Sequence, residues 1–299
     1  MWWAIGMSLN DAEKIARALG GVKRGNTWMC FCPAHENTHT PALAATEKNG
    51  RLVVHCHAGC PQDAVIDILK DRGLWPGRES SFVIDPVARK AEHKERQRRI
   101  DAAIHIWSSS VPITGTLAEE YLRNRRIIMP LPDTLRFHGW LSHPSGNHCP
   151  GMVALVQSPD GKPVAVHRTF LSPDGGKAKV EPTKAMLGPV GGGAVRLAVW
   201  KPGETLLLSE GIETGLTGLQ LTGKPCWACL STSGLKGIIL PPAIRDITIL
   251  VDADEPGEQA AADCARRLLL EGRTVKLASP PAGCNDYNDA LMNADTAQS

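Results

Sequence analysis

Two short-spaced pairs of sulfur and imidazole side chains stand near the start of the sequence. Cys32 and His35 lie in Cys32-Pro-Ala-His35, and Cys56 and Cys60 in Cys56-His-Ala-Gly-Cys60. Two such pairs joined by a longer arm are how one chain closes a tetrahedral site around Zn²⁺. The rival reading is a pair of disulfides. The chain has nine cysteines, an odd number, and it is expected in the cytosol, where clustered Cys and His bind metal more often than they oxidise. The spacing therefore predicts one structural zinc on Cys32, His35, Cys56 and Cys60. Cys30 is an alternative ligand, whereas His39, His55 and His57 read as flanking residues or nucleic-acid contacts. Cys226 and Cys229 fall in the apolar run PCWACLS and read as core packing.

Carboxylates form the second set. From Thr205 onward, continuous apolar runs alternate with helical patterns, which predicts a parallel sheet covered by helices on both faces. Glu210 ends the first run, Asp252 and Asp254 end the third, and Asp286 and Asp289 follow the fourth. Ligands of such sheets bind just past the carboxyl ends of the strands. A single acid there amounts to a helix cap, worth about 1 kcal/mol. Several on one rim repel one another unless cations sit among them, and Mg²⁺ or Mn²⁺ prefer oxygen ligands. Two such ions are the usual machinery for moving a phosphoryl group.

The elements that must position these groups can be traced along the chain. Its 299 residues, 42% hydrophobic and 21% charged, suit a soluble protein of more than one domain. No run of about 18 apolar residues marks a membrane span, and the start, MWWAIGM, shows no secretion signal. Residues Ser8 to Trp75 read as a small module. Leu9, Ala12, Ile15, Ala16 and Leu19 recur at helical spacing, with Ser8 or Asn10 as cap. Strands are predicted near Trp28–Phe31, Ala42–Ala45 and Leu52–His55, then a helix from Gln62 to Asp71. So small a core needs a metal to replace what it lacks. Pro76 to Asp85 reads as a linker, followed by a basic helix carrying Arg89, Lys90, Lys94, Arg96, Arg98 and Arg99 and ending near Trp107. That cluster alone is a solvated helix face. The stretch to Pro202 predicts an antiparallel sheet with long connections, and it holds a second acid-poor cluster: Lys162, Arg168, Lys177, Lys179, Lys184 and Arg196. Such clusters can supply phosphate contacts to nucleic acid, although the net charge is only +2. The expected division is a zinc-binding module over 1–75, a basic linker and helix over 76–100, a core subdomain over 101–202 and an α/β subdomain over 203–299.

SEGIETGL followed by VDADEPG resembles the Toprim domain shared by DnaG-type primases, topoisomerases and some nucleases. Its acidic positions fall on Glu210, Asp252 and Asp254, and GCNDYNDAL resembles the third acidic patch of primase-like members. CPAH…HCHAGC resembles the zinc module of DnaG-type and phage or plasmid primases. EYLRNRRI is similar to the YLxxRG segment that opens the primase core, with Arg126 where Gly is usual. The ordered combination spans nearly the whole chain. The Cys-x₃-Cys spacing of the second pair points to a phage- or plasmid-like branch.

The resemblance implies an α+β chain: a zinc ribbon module and an α/β Toprim domain. It implies a DNA primase of the bacterial host cytoplasm, making short RNA primers from ribonucleoside triphosphates on single-stranded DNA. Asp252, Asp254 and Asp286 would hold Mg²⁺ or Mn²⁺, with Glu210 as metal ligand or acid/base. Arg168, Lys184 and Arg196 would contact template or nucleotide phosphates. With no fused helicase after the acids, any separate replicative helicase would dock elsewhere. A nuclease using the same rim with water as nucleophile, and a non-catalytic accessory protein that binds single-stranded DNA, are the alternatives. A topoisomerase is disfavoured, since the only tyrosines are Tyr121 and Tyr287.

Overall fold

The computed structural model describes residues 10–35, 40–48, 51–75 and 86–294. Ser8, Leu9, His39 and the Pro76–Asp85 linker of the sequence reading lie outside these residues. The chain divides into two compact units, Met1–Glu92 and His93–Ser299.

The first unit opens with helix α1 (Asp11–Ala18), capped by Asn10, whose side chain accepts from the Glu13 N–H. Ala12, Ile15 and Ala16 form its buried stripe. Strands β1 (Val22–Arg24), β2 (Thr27–Cys30), β3 (Leu43–Lys48) and β4 (Arg51–Cys56) make an antiparallel sheet in sequence order. The sequence reading misses β1, because its three residues are all exposed and show no alternation. Helix α2 (Gln62–Asp71) buries Val65 and Leu69. Three of the eleven buried core residues here are cysteines, so the core leans on sulfur where a larger domain would use leucine.

Helix α3 (Pro86–Ser109) leads into the second unit. Its charged stretch is exposed, and its last turns pack Ala103, Ile106 and Trp107 onto a sheet. That sheet is antiparallel, in the order β5 (Val111–Pro112), β6 (Leu135–Ser142), β7 (His148–Gln157), β8 (Pro163–Phe170), β9 (Lys184–Leu187). Helix α4 (Leu117–Asn124) carries the EYLRN residues. Just beyond it Arg126 takes φ +60°, the left-handed conformation that favours glycine.

The second sheet has the order β10-β12-β11-β13-β14. β11 (Leu206–Ser209), β12 (Cys226–Ala228), β13 (Asp246–Leu250) and β14 (Thr274–Ala278) are parallel, as the continuous apolar runs predict. β10 (Val195–Arg196) joins the edge antiparallel. It was not foreseen, being two residues long. Helices α5 (Ile212–Thr222), α6 (Thr232–Gly237), α7 (Glu255–Leu270) and α8 (Tyr287–Asn293) connect and cover the strands. One apolar cluster runs continuously from Ile113, Tyr121 and Met152 to Leu207, Leu216 and Leu250, so the two sheets share a core. Cys226 and Cys229 are buried, free, and packed in clusters on opposite faces of the sheet.

Candidate functional site

Two constellations of chemistry-bearing residues stand out, one in each unit. In the first, the segment just past β2 carries Cys32 and the turn after it His35, while β4 ends on Cys56 and Cys60 precedes α2. One donor atom from each of these four residues lies within 4.8 Å of the others. His35 Nδ1 is 3.0 Å from Cys60 Sγ and 3.8 Å from Cys56 Sγ. Backbone N–H groups of Ala34 approach the Cys32 sulfur, and those of Ala58 and Cys60 approach the Cys56 sulfur. Amides aimed at sulfur favour the thiolate. Burial, against that amide and with the Cys56 thiol beside it, pushes the Cys32 thiol up to about 12. Three thiols this close shed their protons together only to a cation, which is the behaviour of a zinc set. Cys30 is not part of the cluster: its buried Sγ points to the Leu43 carbonyl at 3.4 Å. His55 and His57 meet edge to face, 4.9 Å between ring centroids, outside the four-residue set.

The second constellation is the acid rim. Glu210 follows β11 directly, Asp252 and Asp254 follow β13, and Asp286 stands at the start of α8. The loops carrying them are tied together. Ala253 N–H donates to the Asn285 carbonyl at 2.6 Å, and Leu230 N–H donates to the Glu210 carbonyl at 2.8 Å. Leu230 itself takes φ +75°, a strained conformation for a γ-branched residue. At Gly257, in the first turn of α7, a Cβ would lie 2.6 Å from the Asp252 carbonyl oxygen. Only glycine lets the helix start this close to the acids.

The four acids differ in their partners. Asp254 caps α7, accepting from Gly257 N–H at 2.7 Å, and Asp286 caps α8, accepting from Asp289 N–H at 2.8 Å. Each uses Oδ1 for this. The helix-cap role is real for these two, and it fixes the carboxylate while leaving Oδ2 for another task. Asp252 caps nothing. Its Oδ1 is buried with no hydrogen-bond partner. Burial first, then the charges of Glu210, Asp286 and Asp254, push its carboxyl up to about 7. Burial and Asp254 likewise raise Glu210, against the Thr232 N–H and Lys184. A buried, orphaned carboxylate oxygen among three other acids is a donor set that a hard cation fits. Among the described residues the Cys/His four gather as a metal-binding group, and the rim acids do not form such a group.

Beneath the rim lies a network that the sequence reading missed. Glu213, in the first turn of α5, is 5% exposed. Tyr121 of α4 donates its hydroxyl to Oε1 at 2.7 Å, and Lys184 Nζ lies 3.2 Å from Oε2. Burial alone would raise Glu213. Lys184, the Tyr121 hydroxyl and Lys177 outweigh it and hold the carboxyl well below the ordinary range. Lys184 thus sits between Glu213 below and the field of Glu210 and Asp252 above. The signal was available: the one charged residue in a helix that is otherwise Ile, Gly, Leu, Thr and a single Gln. Its partner, 92 residues away, was not.

The remaining predicted contacts are engaged elsewhere. Arg168 is buried on the α3 side of its sheet, donating to the Ser142 carbonyl at 2.8 Å and lying over Phe170. Arg196 stacks on Trp227, 4.3 Å from the ring centroid, and donates to the Ser158 and Pro159 carbonyls. With Trp200, Pro241 and Ile244 it lines a cavity of about 520 Å³. Trp200, Pro241 and Ile244 all precede strands of the second sheet, whereas the rim acids follow them.

Residues 205–297 match the family model of the Toprim domain, and this segment is a Toprim domain. Residues 97–197 match a domain of unknown function, DUF7146. No curated protein matches the chain by sequence. Among solved structures it is similar to the primase fragment of the bacteriophage T7 primase-helicase protein, at 15% identity over 63% of this chain and 77% of that one, TM-score 0.42. It is similar to the Aquifex aeolicus primase, zinc-binding and RNA polymerase domains, at 16% identity over 97% and 81%, TM-score 0.39. The E. coli primase catalytic core aligns at 14% identity over 70% of each chain, TM-score 0.34.

Proposed function

We propose that this chain is a DNA primase, joining ribonucleotides into short RNA primers on a single-stranded DNA template. The observation that carries the reading is the orphaned, buried Oδ1 of Asp252 in a Toprim rim with three further acids. Asp252, Asp254 and Asp286 would hold Mg²⁺ or Mn²⁺, with Glu210 as a further ligand or as acid/base. Divalent ions there supply activation of the attacking 3′-hydroxyl and neutralisation of the leaving pyrophosphate.

The chain's own residues do the rest. The cap bonds of Asp254 and Asp286 fix those carboxylates before substrate arrives, so little reorganisation is left for the reaction. Glu210, raised by burial and Asp254, is suited to take the proton of the attacking hydroxyl. Lys184, held by Glu213, presents a cation beside the acids to a triphosphate. Arg168 and Arg196 are engaged in contacts within the protein and have no part in this scheme. Zinc on Cys32, His35, Cys56 and Cys60 would be structural, since four protein donors leave no open position for chemistry.

The test is incubation with single-stranded DNA, Mg²⁺ and labelled ribonucleotides, beside the Asp252→Asn variant. New short RNA from the parent and none from the variant is the expected result. Shortened DNA would replace the primase reading by a nuclease. No product of either kind would leave only an accessory binding role.

A further inference from the structure

We infer that Trp140 and His148 form a stacking platform for an unpaired nucleobase, on the sheet face that leads to the acid rim. The inference rests on the nucleotidyl-transfer reading and assigns part of the path by which the template strand reaches that site.

The platform is made by an irregularity in β6. Arg136 and His138 face α3: Arg136 lies over the Trp107 ring at 4.4 Å, and His138, two residues along the strand, shares its face. With strict alternation Trp140 would point the same way. The register shifts between His138 and Leu141, so that Leu141 takes the inward place and packs with Ala103 of α3. One extra residue in a strand turns every later side chain over, and bulges next to active sites re-aim side chains in this manner. Trp140 is thereby moved to the opposite face.

That opposite face is the functional one. Phe137, Met152, Thr169 and Lys184 form one row across four strands, each paired with the next. Cross-strand partners share a face. Phe137 and Met152 in this row pack into the shared core, and Lys184 reaches Glu213. Ser142 and His148 are paired in register and lie on this face with Trp140. His148 is four residues along β7 from Met152, roughly 13 Å at 3.3 Å per residue. The platform and the rim lysine therefore lie on one face of the sheet, with the buried Met152 and Thr169 between them.

The site is built rather than incidental. Trp140 stacks on His148 with ring centroids 5.0 Å apart and planes within 10°. His148 Nε2 is held by the Ser142 hydroxyl at 3.2 Å, and the backbone N–H of Trp140 donates to His138 Nδ1 at 3.0 Å. One indole face is thus covered by a fixed ring, while the residue remains 69% exposed. A rigid aromatic with one open face is how single strands are held without regard to sequence. The base could come from the template strand or from a free nucleotide. The place of the platform, on the sheet face that carries Lys184, favours the strand.

The experiment measures binding of a short mixed-sequence single-stranded oligodeoxynucleotide, and separately of a ribonucleoside triphosphate, to the full chain. Parent, Trp140→Ala and Trp140→Phe are compared at several salt concentrations. Trp140→Ala should weaken oligonucleotide binding roughly 5- to 150-fold, and Trp140→Phe should keep most of it. The slope of log K against log salt should be the same for parent and Trp140→Ala, because stacking releases no counterions. A merely structural role would spoil both variants alike. Loss confined to the triphosphate would keep the nucleobase site and assign it to the free nucleotide. Parent-like binding of both probes by Trp140→Ala would overturn the inference and leave the primase reading standing. A parent that binds no oligonucleotide would sink the primase reading itself.

Discussion

The cysteine cluster and the acid rim both gather four metal-type side chains, yet they solve opposite problems. In the first unit the donors converge within 4.8 Å, and three of the four belong to or touch the one core cluster of that unit's described residues. In the Toprim domain the acids stay spread along strand ends, two of them already employed as helix caps, and the core beneath is large and independent of them. A metal in the first place replaces hydrophobic burial. A metal in the second relieves a repulsion that the fold tolerates without it. Removing the ion should therefore unfold one region and leave the other intact.

The largest effect follows from that contrast. Structural zinc contributes roughly 10–16 kcal/mol in small peptides, more than most domains have to lose. Stripping zinc with a chelator, or making Cys56→Ser, should release residues 10–75 from hydrogen-exchange protection while the second unit keeps its own. Cys226→Ser should leave the zinc content unchanged. Protection of the first unit that survives complete metal removal would break the comparison.

Asp252→Asn probes the other side. The loss of a ligand should lower primer synthesis at least 100-fold, since the stabilisation at stake is several kcal/mol, with DNA binding retained. Stability should move the other way. An unfolded aspartate titrates near ~3.9, and folding raises Asp252 to about 7. The native state binds the extra proton between those values, so this group costs stability progressively from about pH 4 to about pH 7, and fully above. Thermal melting without divalent ions should show the Asn variant more stable than the parent at pH 8 and equal to it at pH 4. Added Mg²⁺ should narrow the gap.

Glu213 carries the opposite sign. Its carboxyl is lowered, so it contributes stability above the unfolded value near ~4.3 that is lost as pH falls through the native value. Tyr121→Phe leaves its Oε1 without a donor, at about 1.5–3 kcal/mol for a bond to a charged group. That corresponds to a Tm lower by roughly 3–12 °C for a unit of this size. An unchanged Tm would show that water replaces the hydroxyl. The smallest effect belongs to Arg126→Gly. Relief of the left-handed conformation, about 1–2 kcal/mol, is offset by the freedom glycine gains in the unfolded chain, so a stabilisation of at most about 1 kcal/mol is expected in denaturant titration.

What could be read from the sequence divides along physical lines. The parallel strands were legible because burial on both faces leaves continuous apolar runs such as Leu206–Leu208. The Cys/His cluster was legible because its side chains come in short local pairs. β10 was not, since two residues carry no periodicity, and the bond between Glu213 and Tyr121 was not, since nothing local encodes a contact across 92 residues. The re-aimed Trp140 depends on a register shift that alternation alone would place on the wrong face. Arg168 and Arg196 were singled out by charge, and charge does not say whether a guanidinium faces solvent or a carbonyl.

β10 has a mechanical consequence. Ala194 exchanges backbone hydrogen bonds with Gln157 of β7, at 2.9 and 3.1 Å, and the next two residues pair with β12. One short segment is thus stitched to both sheets at once, above a core they hold in common. The arm bearing Lys184 and the ledge bearing the acids cannot swing apart like jaws without tearing that seam. A fragment starting at residue 203 would lose the seam and bare the amides of β12, an edge that invites strand-to-strand aggregation. Under the proposed function such a body would work like a jig, with the workpiece moving through a frame of fixed gauge.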